Sequence, residues 1–414
     1  MEAMGVRLCG ARLLVVGTVL LVAAGCREDL VAPANGTCPD FCPPEQLELV
    51  DSLLLDNVVS DSAFSGYVQP YDATGLQVYR DSTEGGETAS RAVVVFETFS
   101  DSLLIASADT TRGAVLGTDS FVVQLPVRGR NPAYTGLEVI LYRIPVGTDS
   151  TTTFTDLDPF FADSTLLATV PIPDSLTSDT LSVVLDPLAF PAFGPDGNRA
   201  AIGIALRSPS SYVQIGSAEG NDDVELIRHV QLDSAGVAVP RREGKAAAFD
   251  SFLASPQLAA TPDERDVGGS PASRTMMRFD LPRRIADSST VVRATLVLVP
   301  TRPIMGAPGD SMVVIAQGLA ADVGAKSPLQ GIPSDSVVFR VAFLTVGSAD
   351  TVRLDVTDLV IGWTQDTTLA RAFAVRAIPE GGSVATLRMG ASTSGTARPQ
   401  LHVTFVPPLT LGGR

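Results

Sequence analysis

The sequence predicts an all-β chain built as two tandem antiparallel β-sandwiches, set behind an N-terminal leader and linker. Three observations point there: the spacing of the apolar runs, a shortage of helix-surface residues, and an internal repeat. From about Ser60 onward, β-branched or Leu-rich runs of five to nine residues alternate with short polar punctuation. Examples are Ala92-Val-Val-Val-Phe96, Phe121-Val-Val-Gln-Leu125, Leu137-Glu-Val-Ile-Leu-Tyr142, Val292-Arg-Ala-Thr-Leu-Val-Leu298 and Gln400-Leu-His-Val-Thr-Phe405. Runs of that length, bounded by Gly, Pro, Asp and Ser, are strands. Asp-Ser recurs at Asp61, Asp119, Asp174, Asp250 and Asp335, and is expected to cap turns by accepting from neighbouring backbone amides.

Composition supports the same class. Lys245 and Lys326 are the only lysines, and Asp outnumbers Glu 33 to 13. Glu and Lys dominate helix surfaces, so their scarcity argues against a mostly helical protein. With 46 acidic against 30 basic residues the net charge is −16. Nucleic-acid binding needs a basic footprint and is excluded as a partner class. At 45% hydrophobic and 18% charged, the chain has the apolar content to bury cores, and its length suits two or three domains of roughly 150 residues.

The repeat is read from matched strands. Phe121-Val-Val-Gln-Leu-Pro126 matches Met277-Arg-Phe-Asp-Leu-Pro282, and the strand closed by Pro145 matches the one closed by Pro300. Asp179–Asp186 matches Asp350–Thr357. Ile202, Ile204 and Leu206 match Phe373, Val375 and Ala377, and Val213–Gly216 matches Leu387–Gly390. The two histidines, His229 and His402, take the same place, each followed by Val. The expected organisation is a leader at 1–25, a tether at 26–58, sandwiches at 59–240 and 246–408, and a tail at 409–414.

At the N-terminus, Arg7 and Arg12 precede the apolar run Leu13–Gly25. The run is shorter than the roughly 18 residues a membrane helix needs, and fits the core of a secretory signal. It ends Ala23-Ala-Gly-Cys26, which resembles the lipobox of bacterial lipoproteins. That resemblance implies cleavage before Cys26 and lipid attachment at its thiol, making the lipid bilayer a partner. Arg27, in the position where Asp would signal inner-membrane retention, favours the outer membrane or cell surface. Cys38 and Cys42, in Cys-Pro-Asp-Phe-Cys-Pro-Pro, read as a local disulfide in an oxidising compartment. A zinc site would require two more ligands.

In the C-terminal half, Arg274-Thr-Met-Met-Arg-Phe-Asp-Leu-Pro282, Val292–Leu298, Leu354-Asp-Val-Thr-Asp-Leu-Val360 with Trp363, and Arg398-Pro-Gln-Leu-His-Val-Thr-Phe405 together resemble the DNRLRE-type domain. The likeness covers about residues 248–407. It implies a jelly-roll β-sandwich of non-catalytic character, related to carbohydrate-binding modules, and carries over no ligand residues. The N-terminal copy departs from the pattern: Pro187 follows Asp186 directly and no Trp follows. Trp363 is expected to pack a core rather than stack on a sugar.

No catalytic constellation is legible. Both histidines lie on alternating final strands, as sheet-surface residues do. Neither a zinc motif nor a phosphate-binding Gly loop is present, and a carboxylate pair for glycoside hydrolysis has no sequence spacing to betray it. Asp196-Gly-Asn198 and Glu219-Gly-Asn-Asp-Asp223 offer oxygen ligands suited to structural calcium at Asp196, Asn198, Asn221, Asp222 and Asp223. The same residues are also ordinary turn material. All six tyrosines precede Val213, which makes the first copy the better candidate for an aromatic sugar platform. The reading is a membrane-anchored surface lipoprotein acting as a non-catalytic binding or adhesion module, with polysaccharide as ligand. The alternatives are a scaffold for an envelope protein and, last, a polysaccharide lyase or hydrolase.

Overall fold

The alternating runs become strands throughout. A computed structural model describes residues 49–407 apart from 55–56, 84–85, 107–109, 132, 191–198, 288 and 330–340. The expected signal peptide, Cys26, Cys38, Cys42, Asp196, Asn198 and the tail lie outside the described residues. Among the described residues no helix is long and apolar enough to cross a membrane. In chain order the strands are β1 (Val50–Leu54), β2 (Val58–Ser65), β3 (Gly75–Thr83), β4 (Gly86–Phe96), β5 (Ser102–Leu104), β6 (Arg112–Arg130), β7 (Glu138–Arg143) and β8 (Leu166–Pro171). Next come β9 (Asp179–Leu185), β10 (Ala201–Leu206), β11 (Ser211–Gly216), β12 (Glu225–Ser234), β13 (Val237–Lys245) and β14 (Ala247–Ala254). The remainder are β15 (Glu264–Gly268), β16 (Ser273–Phe279), β17 (Thr290–Leu298), β18 (Ser311–Gly318), β19 (Ala342–Thr345), β20 (Val352–Asp355), β21 (Ala372–Ile378), β22 (Thr386–Gly390) and β23 (Gln400–Val406). Helices are short: α1 (Phe154–Leu157), α2 (Arg283–Ala286) and α3 (Thr357–Gln365).

Every pairing between these strands is antiparallel, and they enclose two apolar cores. One twelve-stranded sheet runs β13-β12-β6-β11-β3-β4-β10-β7-β8, with β14 also on β4 and β9 and β5 also on β6. Long β6 folds this sheet over itself. It pairs with β12 and β9 around Phe121–Leu125 and with β11 at Val127–Arg130. Alternate residues therefore meet inside the fold, including Leu76, Val78, Val94, Phe96, Phe121, Val123, Leu141, Ile202, Ile204, Val213 and Leu226. Phe121 meets Phe99 and Phe190 edge to face at centroid distances of 6.1 and 5.0 Å.

The second core lies between a four-stranded sheet, β1-β23-β17-β20, and a seven-stranded sheet, β19-β18-β21-β16-β15-β22, with β2 also on β16. Met277, Phe279, Leu296, Val314, Leu354, Phe373, Val375, Leu387, Leu401 and Phe405 fill it, and Leu54 of β1 joins them. Trp363 is buried in this core, stacked on Phe373 at 4.5 Å. It reaches that position on α3, a helix set in a stretch otherwise rich in β-branched residues. Asp355 accepts from the Thr357 N–H (3.0 Å) and hydroxyl (2.6 Å) at its start. Val360 and Trp363, three residues apart, present one buried face.

The Asp-Ser dipeptides divide. Asp174 lies in a turn, but accepts from the Gly136 N–H (3.1 Å) of another loop rather than from a neighbouring amide. Asp61, Asp119 and Asp250 instead lie inside β2, β6 and β14. Aspartates that cap local turns include Asp233 and Asp310 of two further Asp-Ser dipeptides, accepting from Gly236 N–H (2.8 Å) and Ser311 N–H (2.7 Å), and others in Asp-x-Thr form. Asp149 accepts from Thr151 N–H (2.9 Å) and Asp366 from Thr368 N–H (2.8 Å).

The two cores are joined by a third, smaller cluster of Ala73, Tyr79, Phe252, Ala307 and Val384. Gln77 Nε2 donates to Gly382 O (2.9 Å) and Asn131 Nδ2 to Pro308 O (3.2 Å) across the same junction.

Candidate binding face

The outer face of the seven-stranded sheet carries a polar cluster built on β16 and the end of β21. On β16, Thr275, Met277 and Phe279 are buried on the core side, so Arg274, Met276 and Arg278 point the other way. The floor is apolar and small: Met276, Ala372 and Ala374 are buried, with Leu319 beside them and Phe64, Tyr67 and Leu329 packed around the edge. Along one side, Arg274 grips Glu380 through Nε at 2.6 Å and Nη2 at 2.5 Å. Arg376 approaches the same carboxylate at 3.6 Å and donates from Nε to Gln317 Oε1 at 2.9 Å. Two guanidinium groups thus share one carboxylate, which leaves this spot positive on an acidic molecule. Tyr67 lies over the Arg274 guanidinium at 4.0 Å, a cation–π contact.

Residues 319–329 close one end of the face. The Tyr67 hydroxyl donates to Ala325 O at 2.6 Å, and Arg278 pairs with Asp322, with Nη2 to Oδ1 at 2.7 Å. Burial raises the Tyr67 hydroxyl above its ordinary pKa. Burial also lowers the Arg376 guanidinium, opposed by Glu380 and aided by neighbouring Arg274. The Arg278 hydrogen bond holds the Asp322 carboxyl below the usual carboxylate range. The set of donors, one shared acceptor and an aromatic ring is suited to hydroxyl and carboxylate recognition, because guanidinium offers a planar fork of N–H groups.

The other sequence candidates are dispersed. Asn221 takes a left-handed φ of 61° and closes the short turn Ala218–Gly220. Asp222 is held by Arg128 through Nη2 at 2.9 Å and Nε at 3.1 Å, and Arg128 also donates to Thr74 O at 2.6 Å. Asp223 is half-buried in the same loop. Among the described residues, no group of three or more His, Cys, Asp or Glu is placed to hold a metal ion. His229 lies on β12 opposite Arg242 and Ser120. His402 lies on β23 opposite Leu53 and Thr295.

Of the six tyrosines, Tyr79 is buried and Tyr142 packs on Phe161 at 5.1 Å. Tyr67 stands on the face of the C-terminal sandwich, because β2 pairs with β16. The Arg274–Glu380–Arg376 cluster has no sequence signature. Arg274 sits within a strand motif, and Glu380 becomes its neighbour only through β16–β21 pairing.

Comparison of the chain with protein-family models gives no match, and comparison with curated proteins gives none either.

Proposed function

We propose that the protein is an exported, lipid-anchored surface lipoprotein whose β-sandwich body is a non-catalytic binding or adhesion module for polysaccharide. The observation that carries this reading is the pair Arg274 and Arg376 sharing Glu380 beside Tyr67, at the edge of a buried apolar cluster on the sheet. Positive charge concentrated there, on a chain of net charge −16, favours a polysaccharide carrying carboxylates over a neutral one. The DNRLRE-type likeness supports the same class of function.

Titration of the full chain with a uronic-acid polysaccharide and a neutral glucan tests it. Binding to the acidic polymer should weaken as salt rises and fall roughly tenfold or more in Arg376→Ala, since a charge-assisted hydrogen bond is worth about 1.5–3 kcal/mol. Absence of binding to both polymers would remove the reading.

A scaffold role has separate support in two exposed apolar side chains near the end of β9, Val184 (71% exposed) and Leu188 (83%). Stoichiometric co-purification with an envelope protein that is lost in Leu188→Asp would favour it.

A further inference from the structure

The two sandwiches share one pairing order, apart from short β5, which has no counterpart. The layer β19-β18-β21-β16-β15-β22, with β2 on β16, corresponds to β8-β7-β10-β4-β3-β11, with β14 on β4. The opposite layers, β1-β23-β17-β20 and β13-β12-β6-β9, correspond in the same way. Corresponding strands follow one chain order with a single exception. In the C-terminal sandwich, two positions are filled from the N-terminus, by β1 and β2. In the N-terminal sandwich, the same two positions are filled by β13 and β14, from the start of the second half.

Sequence and atomic contacts identify β2 with β14, and β1 and β13 hold the same place beside β23 and β12. Val58-Val-Ser-Asp-Ser-Ala-Phe64 aligns with Ala247-Ala-Phe-Asp-Ser-Phe-Leu253, placing Asp61-Ser62 on Asp250-Ser251. The chain from Ser65 to Gly75 is as long as that from Ala254 to Glu264. Asp61 accepts from Ser392 N–H, two residues past β22, and Asp250 accepts from Ala218 N–H at 2.9 Å, two residues past β11. Gly66 N–H donates to Ala272 O (3.0 Å), and Ser255 N–H donates to Ala89 O (2.7 Å). Ser65 faces Ser273 in one ladder, where Ala254 faces Ser90 in the other.

We infer that the chain is a duplicated unit whose two copies have exchanged their first two strands, each copy completing the sandwich of the other. The exchange is enforced at the β12–β13 connection. Only Ala235 and Gly236 separate Ser234 from Val237, with φ of 53° and 86°, a tight two-residue hairpin that lays β13 beside β12. Arg228 and Glu243, both buried, then pair across that hairpin at 2.8 Å. An unexchanged copy would have to open this turn and carry β13 to β23.

The correspondence also resets part of the sequence match. Met277 and Val94 face Asp61 and Asp250, so these two are equivalent, and the strand at Phe121 corresponds to β17 rather than β16. The matches of Leu181 with Val352, Ile202 with Phe373 and Val213 with Leu387 fall on corresponding strands. The displaced matches joined strands that share only an apolar alternation ending in Pro, a pattern many strands have.

Disulfide trapping in the full chain, with the four native cysteines replaced by serine, tests the exchange. Ser65→Cys with Ser273→Cys should close into an intramolecular disulfide under mild oxidation, seen as loss of two thiols and a faster non-reducing gel band. Ser65→Cys with Ser90→Cys should keep both thiols free. The second arm repeats this at the other sandwich: Ala254→Cys with Ser90→Cys should close, and Ala254→Cys with Ser273→Cys should not. This keeps the test valid if one variant fails to fold. Closure of the unexchanged pairs overturns the inference, and so does a disulfide-linked dimer from the exchanged pairs.

Discussion

Asp250 is a carboxylic acid held inside a strand. Burial pushes its pKa up to about 7; the Ala218 N–H opposes this, and the neighbouring acids Glu219 and Asp223 add to the rise. A folded-state pKa above the unfolded one favours the protonated form. Its stabilising contribution is therefore complete below about pH 4 and lost as pH rises through about 7. The wild-type urea midpoint should fall between pH 5 and 8, and Asp250→Asn should flatten that slope and gain about 1–3 kcal/mol at pH 8. An unchanged slope in the variant would refute this account. Asp61, in the corresponding place, instead meets Arg265 at 2.7 Å, so its charge is matched. Glu243 makes the opposite case. It pairs with buried Arg228 at 2.8 Å and accepts from Ser100 N–H at 3.0 Å. Removing it takes the counter-charge from a buried guanidinium, which keeps its bond to Ser100 O at 2.7 Å, and Glu243→Ala should cost about 3–5 kcal/mol in chemical denaturation. Trp363→Ala should cost a similar 3–5 kcal/mol, because it empties the space stacked against Phe373.

Among the elements, the β12–β13 hairpin places an alanine where the turn requires a positive φ. Ala235 holds φ of 53°, a value that costs an L-residue and suits Asn. Asp233 Oδ1 accepts from Gly236 N–H at 2.8 Å and offsets part of that cost. Ala235→Asn should therefore raise the thermal midpoint by a gain on the order of 0.5–1 kcal/mol, while Gly236→Val, at φ of 86°, should lower it. Strands were legible because alternation is a local property, and β6, β10, β12 and β23 lie where apolar alternation puts them. Helix α3 was not legible. Its residues, Thr357-Asp-Leu-Val-Ile-Gly-Trp-Thr-Gln365, have poor helix propensity, and the fold overrides it by burying Val360 and Trp363. The Asp-Ser dipeptides misled for the same reason. Burial and partners, not residue type, decided which of them became strand residues.

At the scale of the whole molecule, the entry and exit of the body lie together, since Val50 faces Phe405 in the β1–β23 ladder. A tether ahead of β1 would then load the C-terminal sandwich first. Because each sandwich is completed by strands from the other half, the two cores should melt together. Trp363 emission, which reports only the C-terminal core, should follow the same denaturant transition as far-UV circular dichroism, with one midpoint. A second dichroism transition without a fluorescence change would show that the halves unfold independently. The sequence by itself determined the all-β class, the antiparallel sandwich layers and the packing of Trp363, because alternation, turn residues and composition are written along the chain. Only the tertiary structure decided which strand completes which sandwich, and that Arg274, Arg376, Glu380 and Tyr67 share one face. Strand pairing joins residues hundreds of positions apart, and a period of two fixes the face on which a side chain lies without specifying its neighbour across the sheet.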